Sequence, residues 1–596
     1  MSGADIKNNA HRSAFDLSHK KSFTAKVGEL LPIHVEDVAP GEYHRIATSL
    51  FTRTQPCQTA AFCRFKEHVD WFFVPYHLLW RYYNNFIMQT NANEWATSPG
   101  ESISNPSLNG APLFQHHPYF TISNWETAVA SIESLPTVKN NPLGYNRKQL
   151  SIKLFEYLGY GNFAERIENA PADIARNIFP LLAYHKVYND YYRNQQWEFP
   201  SPHTYNIDYA SDPSKLKIDL DQGEDYPYPQ MFDLRYVDYE KDYFTGALPS
   251  KQYGDTALAK PIVGSYIDML SNNGSINHSV SASINGTEHF LQGDQAIEGN
   301  GFSFNSEDIS IIGDLGLDYL GIRKAEALQK FREIQQSGRT DYKSQVRKHF
   351  NVNVADELSH LSTWIGGTTR AFGLDEVVNM NIGDSNQSAV IRGKGVNALD
   401  DYIDFKVPEH GILICMYHCS LLPDYRASLC VDKLTLKTQP GDYIIPELDS
   451  IGMQPLYSAE ADVRLGFELN NPNYDHASAI VGYVPRYAEY KTKPDVVCGA
   501  FNKTLQNWVT PRSPINETDE TFGLTDGRMN PDGSIIGNEN RLHMRHTATR
   551  LKINPNILDN IFGVAADSSV DTDQLLINCN FAHHAVRPLS VNGLPY

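Results

Sequence analysis

The stretch from Lys26 to Ile87 constrains the fold of this chain more than any other part of the sequence. Leu31, Ile33 and Val35 occupy every second position, which is the pattern of a strand with one buried face. The run from Ala39 to Glu42 then predicts a turn, because proline presets φ and glycine accepts a positive φ. The stretch therefore begins with a strand and a tight reversal of the chain.

A second strand follows in the same stretch. Val69, Trp71 and Phe73 alternate along it and Pro75 ends it, so we expect Trp71 and Phe73 to lie in the core. Aromatic and apolar residues continue at helical spacing around Trp80, which is also a predicted core residue. A strand, a long return and an aromatic strand passing into a short helix argue against a nucleotide-binding α/β fold. They favour an all-β sandwich with long connections.

The charge of the chain limits how it can contact nucleic acid. With 51 Lys and Arg against 70 Asp and Glu, the 596-residue chain carries a net charge of −19. A protein of that charge cannot coat nucleic acid with its whole surface, so any DNA contact must be local. The 33 Tyr, 28 Phe and 33 Pro favour strands and long ordered loops over helical bundles.

The sequence carries no sign of secretion or of membrane insertion. Its first residues lack an apolar segment and no run of 18 apolar residues occurs, so neither a signal peptide nor a spanning helix is expected. The seven cysteines form no CxxC pair. This predicts free, mostly buried thiols in a reducing compartment.

Residues 1–25 are polar and weakly basic, and we expect them to form an N-terminal arm. In a free monomer a disordered tail is expected. The alternative is an arm that becomes ordered against nucleic acid or a neighbouring subunit, with DNA contacts from four basic side chains. These candidates are Lys7, Arg12, Lys20 and Lys21.

Residues 26–596 are expected to form one domain with long insertions. These are loops at 91–149, a helical insertion at 150–198, a surface loop at 264–306 and a second helical insertion at 314–350. Tyr188, a predicted core residue, belongs to an aromatic stripe in the first helical insertion, and such a stripe is more often a packing face than a binding site. The surface loop is rich in Ser, Asn and Gly, a composition that cannot fill a core.

The C-terminal third returns to strands. Gly411 to Leu422 is almost continuously apolar, as expected of a strand that is buried on both faces. Apolar residues from Leu575 to Phe581 occupy alternate positions and predict a half-buried strand.

Several short segments spread along the chain carry a distinctive order of residues. They are DVAPGE from Asp37, TRTQP from Thr52, DWFFVPYHLLW from Asp70, FPLLAYHKVYNDYYRNQQWE from Phe179, DYFTGALPSKQYGD from Asp242, AIVGYVPRYAEY from Ala479 and HHAVRPLSVNGLPY from His583. Together they resemble the major capsid protein of the Microviridae, which are small icosahedral phages with single-stranded DNA. The run from Ser362 to Trp364 departs from the family pattern, so any contact made there in relatives is in doubt here.

The resemblance implies a single antiparallel β-sandwich jelly roll of the viral capsid type, with inserted helices and long loops. It implies a T=1 icosahedral shell around circular single-stranded DNA, located in the virion and assembled in the host cytoplasm, without catalysis or cofactors. The implied partners are further copies of the chain, the DNA genome, scaffolding and DNA pilot proteins, and a host cell-surface receptor that surface loops contact.

No motif of an enzyme or of a metal site stands out. The chain has no GxxxxGK[ST], GxSxG or HExxH motif. The pairs His116–His117, His543–His546 and His583–His584 could bind metal, but none has four plausible ligands nearby in sequence. We therefore expect ordinary surface or core histidines, and we predict no catalytic, cofactor-binding or metal-ligating residue.

Two other classes of function remain open from the sequence. One is a β-sandwich enzyme acting on carbohydrate, because two catalytic carboxylates can lie far apart in sequence. The other is a monomeric β-rich binding module, such as a carbohydrate-binding module. Sedimentation distinguishes them from a capsid protein, which alone forms large closed particles.

Overall fold

The computed structural model describes a defined part of the chain. The described residues are 12–57, 61–88, 117–123, 125, 147–161, 175–198, 200, 204–207, 231–251, 261–263, 280–284, 287–291, 315–317, 319–336, 338–378, 391–422, 424–426, 440–449, 452–457, 460, 480–502, 504–505, 508–509, 511–512, 551–553, 558, 561–562 and 573–591. Lys7 and most of the predicted loops at 91–149 and 264–306 lie outside them. The chain divides into two compact units, residues 1–251 with 339–596 and residues 252–338.

The strands and helices are numbered in chain order. The strands are β1 (Ser13–Asp16), β2 (His19–Ala25), β3 (Glu29–Val38), β4 (Tyr43–Thr54), β5 (Arg64–Pro75), β6 (Tyr119–Phe120), β7 (Arg176–Asn177), β8 (Arg235–Tyr236), β9 (Pro261–Val263), β10 (Val280–Ile284), β11 (Thr287–Leu291), β12 (Leu315–Leu317), β13 (Thr363–Gly373), β14 (Asp375–Val378), β15 (Ile391–Lys394), β16 (Val396–Lys406), β17 (Gly411–Leu421), β18 (Asp424–Arg426), β19 (Met453–Tyr457), β20 (Ile480–Pro485), β21 (Val496–Val497), β22 (Pro511–Arg512) and β23 (Leu575–Arg587). The α-helices are α1 (Tyr76–Leu79), α2 (Tyr83–Met88), α3 (Arg147–Leu158), α4 (Phe179–Val187), α5 (Tyr319–Gln336), α6 (Tyr342–Phe350) and α7 (Ala488–Lys491).

Two five-stranded sheets form the centre of the larger unit. In sheet I the order of neighbouring strands is β1-β23-β4-β16, with β2 also paired to β23. In sheet II the order is β13-β5-β17-β3-β8. The described pairings within both sheets are antiparallel. The prediction of an all-β sandwich with inserted helices is confirmed.

Strand β5 packs the two sheets against each other. The ring of Trp71 lies 6.0 Å from that of Phe581 in β23, and the ring of Phe73 lies 5.4 Å from that of Phe405 in β16. Both side chains are fully buried. Because successive side chains of a strand point to opposite faces, Phe72 points away from sheet I.

The helical insertion covers that second face of sheet II. It consists of α3, α4 and a π-helical turn, Tyr188–Tyr192. The ring of Tyr191 lies 4.8 Å from that of Phe72, and the Tyr192 hydroxyl donates a hydrogen bond to Asp70 Oδ2 at 3.0 Å. The aromatic stripe is therefore a packing face. Tyr188 and Trp80 are each only 1% exposed.

The inner strands of sheet II are covered on both faces as a result, whereas the edge strand β13 is mostly half-buried or exposed. All 11 residues of β17 are buried, as its apolar run predicts. Strand β3 differs from the prediction of one exposed face, because Glu29 to His34 are all buried. The face that bears His34 and Glu36 is turned toward sheet I, where the His34 ring lies 5.3 Å from that of Phe581.

The described part of the predicted arm, residues 12–25, differs from the expected disordered tail. Strands β1 and β2 both pair with β23, Ser13 opposite Arg587 and His19 opposite Phe581. Phe23 and Ala25 are buried in the sandwich, and this burial offsets the entropy cost of ordering the segment. The sequence does contain a pattern that indicates these strands, because Phe15, Leu17, Phe23 and Ala25 alternate with polar residues.

The smaller unit, residues 252–338, contains the described parts of the predicted surface loop. Strands β10 and β11 form an antiparallel hairpin, and β9 pairs with β12. Helix α5 belongs to this unit, whereas α6 of the same predicted insertion belongs to the larger one. Helix α6 begins after Asp341, whose side chain accepts a hydrogen bond from the Ser344 backbone at 3.0 Å, as an N-cap does.

Two further sequence predictions concern the membrane and the thiols. Within the described residues, no helix combines the length and apolar character needed to cross a membrane. The described cysteines are all free; five are buried and Cys498 is exposed. Burial raises the pKa of Cys57 and of Cys579 to about 12, so these thiols stay protonated and unreactive.

Replacing Trp71 with alanine should lower the free energy of unfolding by about 3–5 kcal/mol, through reduced apolar burial and the cavity that remains. Urea unfolding of the dissociated subunit measures the change. Trp364, which is 48% exposed, provides the matched control, and Trp364→Ala should cost less than about 1 kcal/mol. Equal decreases in the free energy of unfolding of the two variants would show that Trp71 does not stabilise the contact between the sheets.

Candidate functional site

The predicted DNA-contacting residues do not form one cluster in the described structure. Arg12 and Lys20 are exposed, whereas Lys21 is partly buried. The Lys21 ammonium donates a hydrogen bond to the backbone oxygen of Tyr157 in α3 at 3.0 Å and lies 5.3 Å from the centre of that ring. Burial lowers the pKa of Lys21 to about 8. Lys21 thus fastens β2 to helix α3, while Lys20 points outward.

Lys21 borders a cleft of about 380 Å³ beside the N-terminal strands. Strands β2, β3 and β23 and helix α3 provide the walls. The lining residues are Leu17, His19, Lys21, Ile33, His34, Val35, Glu36, Tyr157, Leu158, Gly159 and His583. The cleft therefore lies between residues from the two ends of the described chain, and its lining contains three histidines and the carboxylate of Glu36.

A chain of hydrogen bonds leads from this cleft into the sandwich. His583 Nε2 lies 2.9 Å from His44 Nδ1, and His44 Nε2 lies 3.1 Å from Glu42 Oε2. His44 and His583 are fully buried and Glu42 is 4% exposed. Since a carboxylate only accepts, His44 must donate its Nε2–H to Glu42, and its Nδ1 then accepts the Nε2–H of His583.

Glu36 occupies the centre of the cluster at the cleft. Its Oε2 lies 3.3 Å from His34 Nε2 and 3.5 Å from His583 Nδ1. Arg587 forms an ion pair with Oε1 of the same carboxylate. The ligand atoms of His34, Glu36 and His583 all lie within 4.8 Å of one another, so these three groups could hold a metal ion.

The protonation states follow from burial and from these neighbours. Burial lowers the pKa of His34 and of His44, and it lowers that of His583 to about 4. Burial alone would raise the pKa of Glu36, but the hydrogen bond with His34 and the nearby positive charges outweigh it and lower the pKa to about 2. At neutral pH the cluster thus contains neutral imidazoles and an ionised carboxylate.

The sequence did not single out this cluster. Spacing along the chain pairs His583 only with its neighbour His584, which points to the opposite face of β23 and is exposed. His34 and Glu36 share one face of β3, but their partners lie more than 500 positions away. Of the other candidate pairs, His117 bonds the backbone oxygen of Pro118, and His116, His543 and His546 lie outside the described residues.

Glu67 is a buried carboxylate of the kind that a carbohydrate-active enzyme would need. It is 1% exposed and lies between the sheets. It accepts hydrogen bonds from Thr52 at 2.6 Å, Asn397 at 2.5 Å and Tyr417 at 2.7 Å. A carboxylate satisfied by three donors and closed off from solvent is a structural group rather than a catalytic one.

The segment from Tyr342 to Trp364 has an unusual number of exposed apolar side chains. They are Tyr342 at 71%, Phe350 at 74%, Val352 at 53%, Leu358 at 76% and Trp364 at 48% exposed. Single exposed apolar residues are normal on a protein surface. Their concentration in one segment is typical of a surface that another protein covers.

Comparisons with known proteins decide the class of function. The family described as "Capsid protein (F protein)" matches residues 4–121 and 157–513, which is well over half of the chain. The chain belongs to this capsid protein family. The capsid protein VP1 of Chlamydia phage 1 is 23% identical over 580 residues, covering 86% of this chain and 89% of that protein. The capsid protein VP1 of Bdellovibrio phage phiMH2K is 22% identical over 545 residues, covering 85% and 87%.

These matches confirm the resemblance to Microviridae capsid proteins that the sequence segments indicated. The capsid family is a structural one, which agrees with the prediction of a structural protein rather than an enzyme. A capsid protein works by associating with copies of itself, and its place is the virion. The functional surfaces of this chain therefore include contacts between subunits.

Proposed function

We propose that this chain is the subunit of a T=1 icosahedral shell that encloses circular single-stranded DNA. The observation that carries the proposal is the family match over residues 4–121 and 157–513. A closed shell needs several contact surfaces on each subunit. The exposed apolar segment from Tyr342 to Trp364 would be one of them, covered by a second copy of the chain.

The strand pairing supports the viral jelly roll within this proposal. Eight long strands follow in chain order as β2, β3, β4, β5, β13, β16, β17 and β23. The first pairs with the eighth, the second with the seventh, the third with the sixth and the fourth with the fifth. Such nested pairing is what a long hairpin gives when it is rolled into two sheets.

The assembly proposal is tested with the double variant Phe350→Ser, Leu358→Ser. Because both side chains are already exposed in the subunit, its melting temperature should stay the same while the yield of closed particles falls at least tenfold. Sedimentation and negative-stain images measure the yield. Val591→Ser, which replaces an apolar residue 69% exposed elsewhere, is the matched control. A chain that stays monomeric under all conditions would refute the shell itself.

The outward face of sheet I is suited to contact the DNA. Lys20, Asn580, Asn578, Phe51 and Arg53 lie side by side on β2, β23 and β4, and all are exposed. The guanidinium of Arg53 lies 5.0 Å from the centre of the Phe51 ring. An aromatic ring flanked by cations and amides can stack on bases and bind phosphates. Local basic groups of this kind fit a chain whose total charge is −19.

Lys20→Ala and Arg53→Ala should each reduce the salt dependence of single-stranded DNA binding, because each variant leaves a phosphate without its cation. The log–log slope should fall by roughly 0.7 for each phosphate that is no longer neutralised. Filter binding of an oligonucleotide to the subunit at several salt concentrations measures this slope. Lys21→Ala is the matched control, because helix α3 already holds the Lys21 ammonium. An unchanged slope in the Lys20 variant would move the contact elsewhere, first to the basic stretch from Arg323 to Lys348.

The loop at 264–306 is proposed to face outward and to contact a host cell-surface receptor. Its Ser, Asn and Gly content provides little apolar area for a shell contact. An epitope tag between Asn285 and Gly286 should be bound by antibody on intact particles and should reduce attachment to cells. A tag that is reached only after particles are disrupted would place the loop inside instead.

Assembly is proposed to take place in the host cytoplasm with help from phage scaffolding and DNA pilot proteins. The buried, protonated thiols fit a reducing compartment. Co-expression with the other phage proteins should raise the particle yield. Equal yields from the chain alone would remove the need for a scaffold.

A further inference from the structure

We propose that His34, Glu36 and His583 form a binding site for a divalent transition metal ion such as Zn²⁺, which ties sheet II to sheet I. His34 and Glu36 stand two positions apart on one face of β3, and His583 comes from β23 in the facing sheet. A metal ion there would join the two ends of the described chain. The site does not depend on the proposed shell or on DNA binding.

Two of the three spacings between the ligand atoms match tetrahedral coordination. Metal–nitrogen and metal–oxygen bonds of about 2.0–2.1 Å at the tetrahedral angle put neighbouring ligand atoms roughly 3.3–3.4 Å apart. Glu36 Oε2 lies 3.3 Å from His34 Nε2 and 3.5 Å from His583 Nδ1. The His34 and His583 nitrogens lie within 4.8 Å of each other, so a small approach of the two imidazoles would complete three tetrahedral positions. The Nε2–H that His34 donates to Glu36 would leave or move to Nδ1 when a metal ion binds.

The hydrogen-bond chain behind His583 prepares it to bind a metal. His44 Nδ1 accepts a hydrogen bond from the Nε2–H of His583, so the lone pair of a neutral His583 is at Nδ1. This Nδ1 is buried, has no hydrogen-bond partner, and faces Glu36. In metal sites, a ligating histidine usually donates its other N–H to an outer partner that holds the ring in place. Here His583 donates to His44, and His44 in turn donates to the carboxylate of Glu42. A buried nitrogen without a partner is costly unless something occupies it.

The donor set selects the kind of metal. Two neutral imidazoles and one carboxylate suit Zn²⁺ or Co²⁺, whereas Mg²⁺ and Ca²⁺ require mainly oxygen ligands. The ion pair of Arg587 with Oε1 leaves Oε2 available and holds the carboxylate in place. The cleft beside the three groups leaves room for water as a fourth ligand, and His19 stacks on the His34 ring at 5.3 Å.

Cobalt titration of the untagged, EDTA-treated full-length chain tests the site. We expect visible absorption typical of tetrahedral Co²⁺ that saturates at one ion per subunit, is displaced by Zn²⁺ and is unaffected by excess Mg²⁺. Metal analysis of dialysed protein checks the stoichiometry. An absence of saturable Co²⁺ binding to the native sequence would overturn the proposal, independently of any variant.

Variants then assign the ligands. His34→Gln and His583→Gln should each abolish the cobalt spectrum, and His44→Gln, which removes only the support, should weaken binding by about 10–100-fold. His584→Gln, the exposed neighbour of His583, is the matched control and should bind like the parent. Circular dichroism shows whether each variant is folded. A folded His34→Gln or His583→Gln chain that retains the parent spectrum would contradict the proposed ligands.

Discussion

The coverage of the inner strands of sheet II on both faces is the constraint on which the rest of the larger unit depends. Strand β5 meets sheet I through Trp71 and the helical insertion through Phe72. Neither covering layer is optional, because both faces of β17 are apolar and would otherwise contact water. The helical insertion therefore shields the outer face of sheet II from solvent.

This two-sided coverage forces polar groups into the interior, where each one needs a partner. Glu29, fully buried in β3, is met by the Lys153 ammonium of α3 at 2.7 Å, which also contacts Asp573 at 2.9 Å. Glu67, which lies between the sheets, accepts hydrogen bonds from three side chains. Removing one partner from such a group leaves a buried charge or hydrogen-bonding atom unsatisfied. These networks thus fix how the helical insertion and the sheets fit together.

The pairing of the N-terminal strands with β23 fixes the position of the outer face of sheet I. Because Lys21 is held by Tyr157 of α3, the arm cannot swing away without breaking contacts within its own subunit. Basic and aromatic side chains on the outer face of sheet I are then fixed in position. If this face contacts DNA as proposed, its rigidity reduces the entropy cost of ordering side chains on binding.

The sequence by itself determined the family, the all-β class, the inward position of Trp71 and Phe73 and the buried character of β17. These follow from local alternation, apolar runs and short motifs, which are properties of neighbouring residues. Only the tertiary structure decided what each strand face meets. The period-2 pattern of β3 assigned His34 and Glu36 to an exposed face, but sheet I covers that face. A disordered tail was expected from the polar composition of residues 1–25, and the sequence did not reveal their partner, β23, which lies over 550 positions away. The histidine–carboxylate cluster has the same origin, since pairing between the first and last strands brings His583 to Glu36, and local patterns contain no information about that pairing.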